Sequence, residues 1–487
     1  MELIKKPLVE FRKRIRASGF KKQRISMIMS ASNIDFCEKK RLEKLVKNGK
    51  SVVGYVPYVA DQTEVIFFNF FSINYGFRSK GTAIVCMTDQ NFNPVQSTAH
   101  ELDFRTNLAQ FPRPPATNPA VFCTILVVHD RMQINHAGHG GNLRFWGSLN
   151  NFSALTHSMP VTFQEPLVSY LKRHVVQKKS LYVRRMYPPA AGYVTHYSSH
   201  GRVQVITQRG DLSSDMDSRM GFSLLGDEYG KVRACFHDAP YLREAIVGNK
   251  SLGHVVALPC IPSIDALLYF GECCKLGARF SVKLFNFNQE DEPVAKTELE
   301  IRDFEPVRVS SLFEGEESIG TIPSWITFTA ISGQHRSHYI NVIYSNKENG
   351  QIFDGVHSHS FSDSKSRRAL KFAPFKTENS LCLADTKQRS FKSILTIFGD
   401  EVNDVRCRVR VFSNLDRNFE ALECVLVRAR SVQFIDLSKN MALPAGSGYF
   451  FAQLESEEQN LAASMFCWSQ SDTTLVKSIC VDHLTGG

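Results

Sequence analysis

Two periodicities divide the chain near residue 50. Before it, apolar residues fall at helical spacing; after it, they alternate with polar ones in short runs, the pattern of strands. Ile4, Leu8, Phe11 and Ile15 share one helical face, with Pro7 in the first turn and Gly19 as a stop. A second helix is predicted from the stripe Ile34, Cys37, Leu42, Leu45 and Val46, opened by Ser32 and Asp35 and closed by Asn48-Gly49. From residue 51 onward, runs rich in Phe, Val, Ile and Thr recur between turn signals. Helical periodicity returns only around residues 165–176.

The strand pattern repeats itself. Three segments share one order of features: an apolar strand (VIFFNFFSI at 65, ALLYFGECC at 266, FKSILTIFGD at 391), then a strand and polar turn (GTAIVCMTDQNFNP at 81, RFSVKLFNFNQEDEP at 279, RCRVRVFSNLDRNFE at 406). A central apolar strand follows (VFCTILVVH at 121, SWITFTAIS at 324, GYFFAQLES at 448), and each segment closes on a strand with histidine (SALTHSMP at 153, DGVHSHSF at 354, ICVDHLTGG at 479). Cys86 to His157 is 71 residues, Phe285 to His357 is 72 and Phe412 to His483 is 71. A period held that closely points to duplication of one unit.

The expected fold is therefore all-β: tandem β-sandwich repeats, immunoglobulin-like or Greek-key, behind a small α-helical basic N-terminal region. The expected divisions are a basic helical region at 1–50, a first repeat at 51–164, a connector or shortened repeat at 165–260, a second repeat at 261–375 and a third at 376–487.

Charge changes this picture at one end only. The net charge of the 487-residue chain is +10. Residues 1–50 hold fifteen basic and five acidic side chains, so the rest is neutral. A neutral body with a basic head suits an anionic surface such as membrane, nucleic acid or an acidic protein face. The residues expected to make that contact are Lys5, Lys6, Arg12, Lys13, Arg14, Arg16, Lys21, Lys22 and Arg24. The alternative is a wet helix that covers the first sandwich. The apolar core of a signal peptide is absent from residues 1–30, and no apolar run reaches the length of a transmembrane helix. The twelve cysteines are scattered without a CxxC pair, which fits a reducing, cytoplasmic setting. Cys86, Cys123, Cys235, Cys407, Cys424, Cys467 and Cys480 read as small buried hydrophobes.

Candidate chemistry is sparse. The histidines at the repeat ends, His157, His237, His357, His359 and His483, recur at one structural position. His357 and His359, two apart on a strand, could turn both imidazoles to one side and reach one metal, but they supply half a ligand set at best. The cheaper explanation is a structural histidine copied with its domain, each bonding a loop of its own copy. A second cluster, HDRMQINHAGHGGN, brings His129, Asp130, His136 and His139 near glycines, as hairpin loops often do. The nucleophile elbow, the P-loop and the dinucleotide glycine motif are all missing, as is βαβ alternation. No cofactor is expected. The leading expectation is a non-enzymatic binding or scaffold protein that presents tandem sandwiches to a macromolecular or carbohydrate partner. The rivals are a metal-dependent enzyme with a histidine site at the repeat ends, and a particle shell protein with a basic nucleic-acid-binding arm.

Overall fold

The computed structural model describes residues 25–48, 50–57, 66–68, 80–88, 93–103, 108–110, 122–131, 144–149, 152–157, 159–160, 193–198, 203–207, 221–226, 232–237, 253–261, 263–270, 276–287, 292–302, 306–316, 319–332, 340–348, 352–361, 375–377, 381–384, 390–413, 420–440, 448–456, 461–470 and 476–484. The helical stretch expected near 165–176 and the first basic helix lie outside them. The fold is all-β: small antiparallel sheets with a few short helices. No described helix is long and apolar enough to cross a membrane. The chain forms two compact units, Met1–Gly147 with Thr156–Gln177 and Tyr193–Leu224, and Ser148–Leu155 with Lys178–Gly192 and Leu225–Gly487.

The first unit begins with helix. Residues 25–30 are helical, and α1 spans Phe36–Lys47. Asp35 caps α1 by accepting the Glu38 N–H at 2.9 Å, so the cap is Asp35 itself rather than Ser32. Asn48 closes the helix, as its sequence predicts. Strands β1 (Ser51–Pro57), β2 (Ile66–Phe68), β3 (Gly81–Thr88), β4 (Pro94–Leu102), β5 (Leu108–Gln110) and β6 (Phe122–His129) follow. They pair in the order β4-β3-β6-β1, with β2 against β5.

Every residue of β3 is buried, on both faces. A strand buried on both faces reads as a continuous apolar run, and GTAIVCMT is one. One face meets the helices: Thr82 Oγ1 bonds Glu38 at 3.4 Å, and Ser97 on β4 donates to the Ile28 carbonyl at 3.4 Å. Ile25, Ile28, Met29 and Leu42 are the buried side of this cover. The short turn at 25–30 carries Ile25, Ile28 and Met29 at helical spacing, a signal that a reading ending the first helix at Gly19 passes over.

Strands β7 (Arg144–Leu149), β8 (Phe152–His157), β9 (Met159–Pro160), β10 (Tyr193–Ser198), β11 (Val203–Thr207), β12 (Gly221–Gly226) and β13 (Val232–His237) come next. β9 pairs with β1, and β10 with β11 as a hairpin.

The second unit holds two sets of eight strand positions. The first set is β14 (His254–Leu258), β15 (Ile264–Tyr269), β16 (Arg279–Asn286), β17 (Ala295–Glu300), β18 (Val307–Arg308), β19 (Ser324–Ser332), β20 (Asn341–Asn346) and β21 (Ile352–His357), with helical turn α2 (Val309–Leu312) after β18. Its sheets are β14-β19-β16-β17 and β18-β15-β20-β21. The second set is β22 (Phe375–Thr377) with β23 (Leu381–Ala384), β24 (Ser390–Phe398), β25 (Val405–Ser413), β26 (Glu420–Val427), β27 (Val432–Asp436), β28 (Gly448–Ser456), β29 (Ala463–Gln470) and β30 (Val476–Leu484), with α3 (Leu437–Asn440) after β27. Its sheets are β22-β28-β25-β26, with β23 also on β28, and β27-β24-β29-β30.

Counting β22 and β23 as one position, both sets obey a single rule. Positions 1-6-3-4 form one sheet and 5-2-7-8 the other. The first unit gives the same order for its four-stranded core, β1-β6-β3-β4, and the same 2–5 pair. The first position of the first set, His254–Leu258, falls before the boundary placed at residue 260 by sequence. Its five residues pair in register with Ser324–Phe328.

Inward and outward faces alternate as a period of two demands. In β16, Phe280, Val282 and Leu284 are fully buried; in β25, Cys407, Val409 and Val411 are. Residues of both sheets of the first set, among them Leu268, Phe280, Trp325 and Tyr344, belong to one buried cluster. That cluster continues into the second set through Ile394, Phe398, Phe434, Phe466 and Trp468.

Candidate functional site

The end of β21 is where sequence places its most interesting histidines. The chain leaves the strand at His357, opposite Asn341 on β20, and runs on through Ser358 and His359. His359 is held by its backbone. Its N–H donates to the Val255 carbonyl at 2.9 Å, and its carbonyl accepts from the Val255 N–H at 2.7 Å. The tail of position 8 is thus sewn to position 1 of the same set.

That bridge sets two side chains in the interior. Ser358, 1 % exposed, accepts the Ile340 N–H on its hydroxyl at 2.7 Å and lies 3.1 Å from His254 Nδ1. His359 points the other way. Its Nε2 is 2.6 Å from the hydroxyl of Ser464 on β29, 105 residues along the chain, and its ring lies 4.4 Å from that of Phe398 on β24. Ser464 sits between Thr396 on β24 and His483 on β30 in the ladder, and its carbonyl accepts from the Thr396 hydroxyl at 3.0 Å. Apolar rings surround this polar seam: Tyr344 meets Phe466 edge-on at 5.4 Å and Phe287 meets Phe434 at 5.7 Å.

A histidine within hydrogen-bond reach of a serine is the geometry of a base and its nucleophile. Here it has no access. Ser464 is 1 % exposed and His359 7 %, so a substrate carbonyl cannot approach the hydroxyl. What the pair does is join the two sets: a polar group taken into an interior must find a partner, and each supplies the other's. The expectation that each closing histidine bonds a loop of its own copy fails for His359, whose partner belongs to the next set. His359 lies beyond β21, in a bridge to Val255.

The other repeat-end histidines are placed by backbone alone. His157 closes β8, His237 closes β13, His357 closes β21, and His483 lies one residue from the end of β30. Among the described residues, no group of three or more His, Cys, Asp or Glu is arranged to hold a metal ion. The nine basic residues Lys5, Lys6, Arg12, Lys13, Arg14, Arg16, Lys21, Lys22 and Arg24 lie outside the described residues, as do His136 and His139.

His129 and Asp130 are described. His129 ends β6, buried, and its Nδ1 accepts the Arg131 N–H at 3.1 Å and lies 3.2 Å from Asp130. Its ring packs on Gly81, where a Cβ would fall 2.8 Å from His129 Cδ2. The Asp130 carbonyl accepts a hydrogen bond from the Lys50 ammonium. These contacts tie the strand end to β3 and to the residue that precedes β1.

A small concavity in the second unit is lined by Leu258, Ile261, Ile264, Asp265, Gly320 and Tyr344. It holds about 20 Å³, little more than a water. Asp265, buried at its wall, accepts the Ser310 N–H at 3.3 Å and hydroxyl at 2.7 Å, with Arg308 at 3.7 Å.

Cys37, Cys86, Cys123, Cys260, Cys407, Cys424 and Cys467 are free thiols. Burial pushes the Cys86 thiol up to about 12 and Cys123 higher still. Cys424 departs from the sequence reading: it is exposed, on the outward face of β26.

No protein-family model matches this chain, and no curated protein is significantly similar to it.

Proposed function

We propose that the chain is a non-enzymatic scaffold of tandem β-sandwich domains, cytoplasmic, that holds loops and strand ends in fixed array for a macromolecular or carbohydrate partner. One observation supports this above the rest. The two strand sets of the second unit share an order and a single buried core, stitched by the His359–Ser464 bond. Such a joint fixes the geometry between two binding surfaces, which is what presentation of a long or repeating partner requires. The free thiols fit the compartment, and the histidine geometry fits a structural bond rather than chemistry.

The experiment uses the full chain, purified without chelator or metal-affinity tag. Elemental analysis accompanies binding to an array of oligosaccharides and to single- and double-stranded nucleic acid. Saturable binding to one polymer class, without bound metal, is the expected result. Near-stoichiometric zinc, iron or manganese that disappears in an H357Q/H359Q variant would replace this reading with the metal-dependent enzyme. Co-purified nucleic acid in a particle-sized assembly would replace it with the shell protein.

A further inference from the structure

Two edge strands occupy position 4 of the two sets, and they are built differently. β17, sequence AKTELE, turns Lys296, Glu298 and Glu300 to solvent. Charges on an edge discourage a foreign strand from pairing there. β26, sequence EALECVLV, turns Glu420, Leu422, Cys424 and Leu426 outward. Leu422 is 57 % exposed and Leu426 50 %. Among the described residues no strand lies beyond β26, so its outer row of N–H and C=O groups faces outward. An eight-residue edge with an apolar stripe is a template for another strand.

The strand that fits it is β26 itself. Run antiparallel about a two-fold axis through Cys424, Leu422 of each copy faces Leu426 of the other. Glu420 faces Arg428, opposite in charge and also exposed, and the two Cys424 residues face each other. Moving the axis by one residue either way sets Glu420 against Leu426 or Leu422 against Arg428. Only the Cys424-centred register matches apolar with apolar and acid with base. Like pairs directly opposite on one face are the unit of sheet stabilisation, and an isologous contact of this kind closes as a dimer.

We propose that the chain self-associates through β26, edge to edge and antiparallel, about Cys424. A contact of one strand pair is smaller than a standard interface, so the dimer should be weak, with Kd on the order of 10 µM.

Sedimentation equilibrium of the full chain in reducing buffer, from 1 to about 200 µM, should show a monomer–dimer equilibrium. Diamide should then trap the dimer. Two thiols give up two protons and two electrons, diamide is reduced to the hydrazine, and digestion should yield a Cys424–Cys424 peptide; directly opposed Cα atoms lie within disulfide range. The variant L422K/L426K, with circular dichroism to verify its fold, should weaken association at least tenfold. A monomer throughout the range would overturn the proposal. So would a dimer that the double variant leaves unchanged, or one whose cross-link joins other cysteines. If the double variant fails to fold, the cross-link in the unaltered chain decides alone.

Discussion

β3 and β25 hold the same position in sheets of the same order, yet their outward faces meet different surroundings. At positions matched by the 71–72-residue spacing, Ile84 of β3 corresponds to Lys283 of β16 and Arg410 of β25. Ile84 is fully buried, beneath the helices at 25–48. Arg410 lies on an outward face, bonded to Glu420 at 2.7 Å and to Glu455 at 3.0 Å. The scaffold tolerates either chemistry. What decides is whether something covers the face: the helices at 25–48 cover β3, and among the described residues nothing comparable covers Arg410.

The largest expected effect breaks the contrast by exchanging its partners. Ile84→Lys would bury an ammonium under the helices, and should cost about 4 kcal/mol or more, or prevent folding. Denaturant titration reads it directly, and a loss under 1 kcal/mol would mean the cover lifts easily. Leu42→Ala, which carves a cavity on the helical side of the same contact, should cost about 2–4 kcal/mol. Ser464→Ala leaves the buried His359 without its hydroxyl and should cost about 1–2 kcal/mol, with a single unfolding transition retained across the second unit. Arg410→Ile, on the uncovered face, should cost at most about 1 kcal/mol, because its ion pairs are part-exposed.

Thiol chemistry sharpens the comparison without a mutation. With Cys86 held near 12, only about one thiol in ten thousand is ionised at pH 8. Iodoacetamide and peptide mapping should label Cys37 and Cys424 within minutes, and leave Cys86 and Cys123 untouched until unfolding.

Much of the fold is legible in the sequence, and the reasons are specific. Where one face is wet, as in RCRVRV, alternation names strand and face together. The strand segments were visible because each position keeps its own apolar run. The basic segment was less legible. The apolar residues Ile25, Ile28, Met29 and Leu42 that make the helices at 25–48 a cover are few and interrupted. Cys424 misled because an alternating strand shows which residues share a face and not which face is inside; Val425 is as apolar as Leu426. The His359–Ser464 bond was illegible, since no local pattern announces a partner 105 residues away.

That separation has a consequence for synthesis. A ribosome adding about 5–20 residues per second needs roughly 5–20 s to travel from His359 to Ser464. For that interval the first strand set of the second unit can close through the Val255 bridge, but the His359 imidazole and the rings around it wait for chain not yet made. The nascent protein passes through a stage with an unfinished apolar wall, in which a chaperone or a slowed codon run would have its greatest influence.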